Sequence, residues 1–185
     1  MERCEYNFTR SSLCDIGMVW IEKDKRPRII RIFLSEKNND IYKRIKRFFP
    51  AAKKTQNKKI NFILGNIRSY LEGEIINFNF SGLQKIPYSR FQRAVLLATR
   101  RIPYGKVIAY KGLAELVGAK SARAVANALA KNPFPIVIPC HRVVTFDRKI
   151  GGFQPGRNLK KVLLKLEGIT FDKKGRIPEG FFLKI

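Results

Sequence analysis

Hydrophobic residues concentrate in two short stretches near the start of the chain, residues 18–22 and 28–34, on either side of the polar sequence KDK. Their β-branched and aromatic content predicts two strands joined by a turn. In the next segment, NDIYKRIKRFF, the spacing changes, and Ile41, Ile45 and Phe48 recur at helical intervals. This spacing predicts a helix that ends at the following proline.

The rest of the first half continues this mixed pattern. Residues 61–71 predict a second helix that stops near a glycine, and the alternating EIINFNF, residues 74–80, predicts a strand. The sequence SGLQKIPYS, residues 81–89, has the composition of a linker. We therefore predict an N-terminal α/β domain over residues 1–85 and a second domain over residues 86–185.

The second domain is predicted to be mostly helical. Helices are expected over residues 91–101 and 109–117, and Ser121 is a suitable N-cap for a third helix in SARAVANALAKN, which Pro133 closes. Two helices separated by a glycine-containing turn have the outline of a helix-turn-helix.

The second helix of this pair carries few bulky side chains. Arg123 is the one long side chain near its start, and alanines occupy alternate positions, namely Ala122, Ala124, Ala126, Ala128 and Ala130. A tightly packed interior helix fits this composition, because Val125 and Leu129 must face a core. A flat surface that approaches a partner or a narrow groove fits it as well, and the residues alone leave both interpretations open.

A last helix is expected over residues 158–166, with Asn158 as its N-cap and Gly168 just past its end. In the tail that follows, the apolar residues Phe181, Phe182 and Leu183 are expected to pack back onto the domain. The whole pattern predicts an α+β protein.

Composition and charge narrow the class of protein. The 185 residues are 45% hydrophobic, which is enough for a packed core, and no run approaches the roughly 20 apolar residues of a membrane span. The first residues lack an apolar segment of signal-peptide length, so we expect a cytoplasmic or nucleoid-associated protein without a membrane partner. Lys and Arg number 38 against 14 Asp and Glu, a net charge of +24. This excess favours a nucleic-acid partner. A role in solubility, or a generally basic composition of the proteins of the source organism, would explain it too.

The cysteine count argues against a disulfide framework and against zinc. There are three cysteines, Cys4, Cys14 and Cys140, and a single histidine, His141. A structural zinc site usually takes four Cys or His ligands and would consume all of them. We therefore expect no metal and no cofactor; pairing of Cys4 with Cys14 stays open.

The sequence NPFPIVIPCHRVV, residues 132–144, places a cysteine directly beside the only histidine. A free thiol is largely protonated at neutral pH, so a catalytic cysteine needs a base or a cation nearby. Neighbours on an extended strand point to opposite faces, so adjacency does not ensure contact. An orienting partner for the histidine could be Glu167, Asn132 or Asp147, and a buried structural thiol is the alternative to catalysis.

Three segments resemble the O6-alkylguanine-DNA alkyltransferases. IPCHRVV is similar to the active-site motif of that family, PYGKVIAYKGLAELVGAKSARAVANALAKNP to its helix-turn-helix, and IGGFQPGRNLKKVLLKLEG to its C-terminal segment. Together they cover about residues 87–168. The resemblance implies a ribonuclease-H-like N-terminal domain with a small antiparallel sheet and helices, and a mostly helical C-terminal domain with a winged helix-turn-helix.

The resemblance also implies a chemistry. Cys140 would take an alkyl group irreversibly from O6 of guanine in a single turnover, and O4 of thymine is left open as a further substrate. His141 would accept the thiol proton through a water, Glu167 would hold the imidazole, Asn132 would brace the turn, and Tyr110 would donate a proton to the departing base.

The implied partner is double-stranded DNA that contains O6-alkylguanine, bound by a monomer that everts the base from the minor groove. The residues implied to contact DNA are Arg123, as the finger that fills the gap in the stack, Tyr110, Lys111, Ala124 and Gln92. The implied pocket residues are Pro135, Val143, Phe153 and Gln154. Phe153 replaces a tyrosine common in the family and Gln154 a smaller residue, which leaves the range of accepted alkyl groups open.

Three other functions compete with methylated-DNA–protein-cysteine methyltransferase activity. A relative that only binds alkylated DNA would leave the thiol unmodified. A winged-helix regulator would prefer one DNA sequence over scrambled duplex. A Cys-His hydrolase would turn over thioesters or peptides many times, whereas alkyl transfer happens once per molecule.

Overall fold

The computed structural model describes residues 3–36, 40–78 and 88–183. The chain divides into two compact units, residues 1–86 and 87–185. The described part contains a four-stranded sheet, a two-stranded sheet and six α-helices, a mixed α+β architecture. None of these helices is both long and apolar enough to span a membrane.

The first unit is built on the four-stranded sheet, whose order is β3-β2-β1-β4. The strands are β1 (Cys4–Arg10), β2 (Cys14–Lys23), β3 (Arg26–Glu36) and β4 (Lys53–Lys54). The pairs β1–β2 and β2–β3 are antiparallel, and β4 runs parallel to β1.

The β2–β3 hairpin confirms the two strands and the KDK turn expected from the sequence. Asp24 and Lys25 both have positive φ, 51° and 57°. Left-handed conformation at both central residues is the geometry of a two-residue turn that matches the twist of the strands. The strand β1 was missed, because CEYNFTR mixes apolar and polar residues without enough apolar alternation to stand out.

Two helices pack on the sheet, and both confirm the sequence predictions. Helix α1 (Ile41–Phe48) starts at Asp40, whose carboxylate accepts hydrogen bonds from the N–H groups of Tyr42 and Lys43. Helix α2 (Lys58–Leu71) starts three residues earlier than predicted, because Asn57 caps it.

Helix α1 covers one face of the sheet and buries a cluster formed by Tyr6, Val19, Phe33, Ile41, Ile45 and Ala52. Gly17 lies directly beneath it, since a Cβ there would stand 2.8 Å from Cδ1 of Ile45. Helix α2 packs on the opposite face of the sheet, against β1 and β2. On that face, Asn7 of β1 donates a hydrogen bond to Asn61 of α2.

The strand predicted in EIINFNF is wrong for its described part. Residues 74–78 form no strand, although the expected alternation is present, with Ile76 and Phe78 half-buried and Asn77 exposed. Alternation reports an extended chain with one side against the protein, but a strand also needs a hydrogen-bonded neighbour. Phe78 instead packs edge-on against the ring of Tyr70, with centroids 5.7 Å apart. The end of this segment and most of the expected linker, residues 79–87, lie outside the described residues.

The second unit is mostly helical. Its elements are α3 (Arg90–Arg100), β5 (Ile108–Ala109), α4 (Tyr110–Leu116), α5 (Ala122–Ala130), β6 (Val143–Val144) and α6 (Arg157–Leu166), with short 3-10 turns at Cys140–Arg142 and Glu179–Phe181. The three helices expected before the Cys-His motif are confirmed, and the Ser121 hydroxyl caps α5 by accepting from the N–H of Ala124.

The expected cap of the last helix is wrong. Helix α6 starts at Arg157, so Asn158 lies inside its first turn, and the cap position belongs to Gly156. Gly156 has φ 126°, a backbone conformation that favours glycine, so the chain enters the helix without a side-chain cap. The tail packs back as expected, since Phe181 and Phe182 lie against the cluster of Val107, Val144, Leu164, Ile169 and Ile177.

Candidate active site

The chain leaves α5 through a tight loop that Asn132 holds together. The Asn132 amide donates to the carbonyl of Ile138 at 2.9 Å, and its oxygen accepts from the N–H of Phe134 at 3.0 Å. The same amide nitrogen lies 3.1 Å from Sγ of Cys140. Asn132 therefore shapes the loop and points a hydrogen-bond donor at the sulfur.

Cys140, His141 and Arg142 form a 3-10 turn rather than the extended strand considered from the sequence. Cys140 is 9% exposed. Burial raises the pKa of its thiol, while hydrogen bonds from Asn132 and from backbone N–H groups, and the charge of Lys160, oppose this rise. The thiol is therefore protonated at rest, but these hydrogen bonds and the Lys160 charge stabilise the thiolate once it forms.

Glu167 ties the two residues after the cysteine to the end of α6. Nε2 of His141 lies 2.9 Å from Oε1 of Glu167. Nε of Arg142 donates to both carboxylate oxygens at 3.0 and 2.9 Å, and the N–H of Gly105 donates to one of them. Of the three candidates for orienting the histidine, the structure places Glu167 against it, Asn132 against the sulfur, and Asp147 at the surface beside Lys149.

These contacts set the charges of the pair. Burial would raise the pKa of Glu167, but the hydrogen bonds and charges of His141 and Arg142 outweigh it and lower the pKa to about 2. Burial lowers the pKa of His141 despite the nearby carboxylate, with Arg142 and Lys160 adding to the decrease. The resting state is an ionised glutamate and a neutral imidazole. Because Nε2 then carries the hydrogen toward Glu167, Nδ1 carries the basic lone pair.

A buried lysine also acts electrostatically on the sulfur. Lys160 is fully buried, and its Nζ donates to the carbonyls of Val143 at 2.6 Å and Gly152 at 3.2 Å. Burial lowers its pKa to about 8, although the charge of Cys140 favours the ammonium. The Tyr110 ring lies 5.7 Å from this nitrogen, and burial followed by the Cys140 charge raises the Tyr110 pKa to about 12. The tyrosine therefore keeps its proton at neutral pH.

The sulfur lies at a cavity of about 1020 Å³. Its wall includes many of the predicted site residues, namely Tyr110, Lys111, Arg123, Asn132, Pro135, Cys140, Phe153 and Gln154. His141 and Glu167 are buried away from this wall. One side of α5 faces outward, with Arg123, Asn127 and Ala130 exposed and Val125 and Leu129 buried. The helix is therefore not an interior one.

Besides His141 and Glu167, three further predicted residues are not part of the cavity wall. Gln92 lies in the first turn of α3, and Ala124 lies on α5 outside the wall. Val143 points its side chain into the core, so only its carbonyl serves the site, as an acceptor for Lys160. In the described ranges, no three His, Cys, Asp or Glu side chains group as metal ligands would, and no disulfide joins the cysteines.

Comparison with known proteins connects this arrangement to a family. A model of the 6-O-methylguanine DNA methyltransferase DNA-binding domain matches residues 90–169. A methylated-DNA–protein-cysteine methyltransferase of Methanothermobacter thermautotrophicus is 36% identical over 160 residues, which cover 86% of this chain and 83% of the relative. The chain belongs to the methylated-DNA–protein-cysteine methyltransferase family.

Other family members agree in sequence and in fold. A methyltransferase of the same name from Saccharolobus islandicus is 43% identical over 111 residues, 60% of this chain and 66% of the relative. The O6-methylguanine methyltransferase of Mycobacterium tuberculosis superposes with a TM-score of 0.72 at 25% identity, over 95% of this chain and 96% of the other. The structure from Pyrococcus kodakaraensis gives 0.70 at 26%, over 90% and 99%. These likenesses confirm the α+β fold.

Two residues of the site were not predicted from the sequence, namely the buried Lys160, whose charge acts on Cys140, and Phe146, which lines the cavity. Both had a signal in the sequence. Lys160 stands three and four positions before the buried Leu163 and Leu164, which places a lysine on the apolar stripe of α6. Phe146 is an aromatic residue in the polar turn TFDRK, and it lines the cavity while 81% exposed. Its turn is held by hydrogen bonds between Thr145 and Lys149.

Proposed function

We propose that this chain repairs double-stranded DNA by moving an alkyl group from O6 of guanine irreversibly to Sγ of Cys140, once per molecule. The observation that carries the proposal is the position of one sulfur. It lies at a large cavity beside an outward-facing helix, 3.1 Å from the Asn132 amide, and the next residue is a neutral histidine that an ionised Glu167 holds. The family membership supports the same chemistry.

The first step of the proposed reaction is removal of the thiol proton. His141 accepts it at Nδ1 through a bridging water, because its Nε2–H is committed to Glu167. The resulting imidazolium is stabilised by the carboxylate, as in other nucleophile–base–acid arrangements. Hydrogen bonds from His141 and Arg142 keep Glu167 ionised. Burial, to which the positive charge of Arg142 adds, lowers the pKa of His141 and keeps the resting imidazole neutral and able to act as a base.

In the second step the thiolate attacks the alkyl carbon in line with the C–O6 bond. The sulfur electron pair forms the S–C bond, and the C–O6 pair stays with guanine, which takes a proton from Tyr110. The tyrosine then regains a proton that His141 releases through solvent. The Asn132 amide and the Lys160 ammonium stabilise the negative sulfur before attack.

Access to O6 inside a duplex requires an everted base. We propose that residues 86–185 form the DNA-binding and active-site domain, with α4 and α5 in a winged helix-turn-helix, and that residues 1–85 form a ribonuclease-H-like domain. The small side chains of α5 allow close approach to the minor groove, Arg123 fills the stack, and Lys111, Ala124 and Gln92 contact the DNA. A Mycobacterium tuberculosis relative solved in complex with DNA, at a TM-score of 0.70, supports a DNA partner. We propose that this chain binds DNA as a monomer.

The walls of the cavity then receive the everted nucleotide. Pro135, Phe153 and Gln154 line it from the catalytic side, and the Val143 carbonyl is bound by Lys160. We add Phe146 to these residues, because its exposed ring lies at the cavity on a hydrogen-bonded turn, where it can contact the sugar or base that enters.

The experiment that tests this function is intact-mass analysis after incubation with an O6-methylguanine duplex, followed by peptide mapping. We expect a mass increase of one CH₂ unit, located on Cys140, and no increase for Cys140→Ala, which still binds DNA. Binding without any mass change would identify a protein that only recognises alkylated DNA. Repeated turnover of a thioester would identify a hydrolase.

A second experiment tests the finger role of Arg123. Arg123→Ala is expected to slow repair of duplex DNA at least tenfold, while its reaction with free O6-benzylguanine stays near the wild-type rate, because the free base needs no eversion. Equal losses on both substrates would contradict the role.

A further inference from the structure

A long segment of the first unit contains cations and no anions. Between Asp40 and Glu72 every charged residue is basic. The nine cations are Lys43, Arg44, Lys46, Arg47, Lys53, Lys54, Lys58, Lys59 and Arg68. A run of like charge is often only a solvated surface, so its position in the fold decides whether it forms a site.

The strand register brings further cations to the face of the sheet that α1 covers. Residues paired across antiparallel strands share a face, and Gly17 marks the α1 side through its contact with Ile41 and Ile45. Counting from Gly17, the charged strand residues on that side are Arg10, Asp15, Lys23, Arg26, Arg28 and Arg31. The one acid in this set, Asp15, lies 4.0 Å from Arg10. We call this side of the first unit, together with α1 and Lys54, the α1 face.

Aromatic rings lie among these cations. Tyr42 and Phe48 on α1 are each 46% exposed. Phe48 rests on Phe33 with centroids 5.6 Å apart, and the Arg31 guanidinium lies 4.6 Å from its centroid.

The ring of Tyr42 rests on that of Tyr6 at 6.3 Å. Lys54 lies 4.5 Å over the ring of Phe8. Each exposed ring is therefore supported from below, so it is held in place rather than free to fold away.

We propose that the α1 face binds single-stranded nucleic acid, with phosphates at Lys43 and Arg47 and unpaired bases stacked on Tyr42 and Phe48. Cations lie between the two exposed rings of α1, so phosphates and unpaired bases can be bound together. Sequence-independent single-strand binders combine basic and aromatic side chains in this way. A duplex keeps its bases stacked inside and cannot use the rings. This site goes beyond the repair reaction, which uses the second unit.

The test uses the full-length Cys140→Ala protein and an oligothymidylate of about 16 nucleotides, with affinity measured by fluorescence anisotropy over a salt series. Phe48→Ala should weaken binding about tenfold through lost stacking. Lys43→Gln/Arg47→Gln should reduce the slope of log K against log salt by about 0.7 for each lost phosphate contact.

The opposite face of the sheet supplies matched controls. Helix α2 packs on that face and carries an exposed aromatic residue, Phe62, and two exposed lysines, Lys58 and Lys59. Phe62→Ala and Lys58→Gln/Lys59→Gln make the same chemical changes, and we expect them to alter affinity less than twofold. Every variant should keep the fluorescence of the buried Trp20, the one tryptophan of the chain, which shows that the first unit is folded. In a Cys140-containing background, every variant should also react normally with free O6-benzylguanine, which shows that the second unit is folded.

Photo-crosslinking with 5-iodouracil in the oligonucleotide locates the site independently of alkyl transfer. Crosslinks to peptides that contain Tyr42 or Phe48 are expected. Crosslinks confined to residues 87–185, or equal losses in the two lysine pairs, would overturn the proposal. The proposal would also be overturned if the α1-face variants lost binding to phosphatidylglycerol vesicles but kept oligonucleotide binding. That result would identify a lipid-binding surface.

Discussion

Glu167 holds a buried histidine and a buried arginine with one carboxylate. Glu167→Gln keeps the shape of the side chain but leaves the Arg142 guanidinium buried without a counter-charge. We expect it to lower the free energy of unfolding by about 3–5 kcal/mol and to slow alkyl transfer, because the imidazolium loses its stabilising charge. Urea denaturation and single-turnover transfer at neutral pH measure the two effects.

The difference in unfolding free energy between wild type and Glu167→Gln depends on pH if the charge of Glu167 stabilises the fold, and is independent of pH if only its packing does. The folded-state pKa of Glu167 is about 2, below the ordinary 4.5. Its stabilisation is therefore fully present above pH 4.5 and is lost as the pH falls toward 2. Wild type and Glu167→Gln should converge in stability over this window, and a difference that stays constant would refute the charge argument.

Lys160 is the second residue whose charge acts on the sulfur. Lys160→Met keeps most of the volume and removes the ammonium, so the pKa of Cys140 should rise. The pH–rate profile with free O6-benzylguanine should move to higher pH by about one unit, a tenfold loss of rate at neutral pH. Lys161→Met, an exposed neighbour on the same helix, changes the net charge equally and should leave the profile in place.

The pH dependence of the wild-type free energy of unfolding gives a second measurement, that of the pKa of Lys160. The pKa of Lys160 is lowered from 10.5 to about 8, so the unfolded chain binds more protons between these values. Relative to Lys160→Met, the wild-type protein should gain stability as the pH rises from about 8 to about 10.5, by at most about 3 kcal/mol. A flat difference would show that the buried amine keeps its ordinary pKa and stays charged over this range.

Among single residues, the sequence predicted those that belong to a recognisable motif. It did not predict those whose role depends on where the fold places them. Cys140 and His141 are adjacent in a distinctive segment, and Glu167 followed from the resemblance. Lys160 acts because the α6 stripe carries it into the core, and Phe146 because its turn lies at the cavity. Both placements depend on tertiary packing, which one sequence shows only as a residue out of place.

Helix α5 offers the sharpest test among the elements. Ala124 is half-buried on its surface and outside the cavity wall, so Ala124→Leu adds bulk where the helix is proposed to approach DNA. We expect about tenfold slower repair of duplex DNA and an unchanged rate with free O6-benzylguanine. Leucine is a good helix former, so the helix itself should not suffer.

The control for this change is Ala94→Leu, at an exposed position on α3. It adds the same bulk to a helix surface away from the cavity, and repair of duplex DNA should stay within twofold of wild type. If both variants lose activity equally, the close-approach role of α5 is wrong.

Elements with strong periodicity or a clear cap were predicted well, and those that depend on a partner were not. The β2–β3 hairpin and all six helices follow the sequence pattern to within a few residues. The segment at residues 74–78 has the alternation of a strand but pairs with no strand among the residues that the structure describes. In contrast, β1 has a weak pattern and pairs with β2 throughout. Pairing is a long-range property that local periodicity does not contain.

For the whole molecule the net charge of +24 makes a prediction that separates binding from chemistry. A protein that neutralises several phosphates releases counterions, so its affinity for duplex DNA falls steeply with salt. With about five phosphate contacts, we expect affinity to fall several-hundredfold between about 50 and 200 mM salt. The reaction with uncharged O6-benzylguanine should be nearly insensitive over the same range, because the Cys140 site is buried and screened little. If the duplex affinity and the rate of the O6-benzylguanine reaction fell in parallel with salt, salt would act on the active site, and the charge of the chain would not serve to bind DNA.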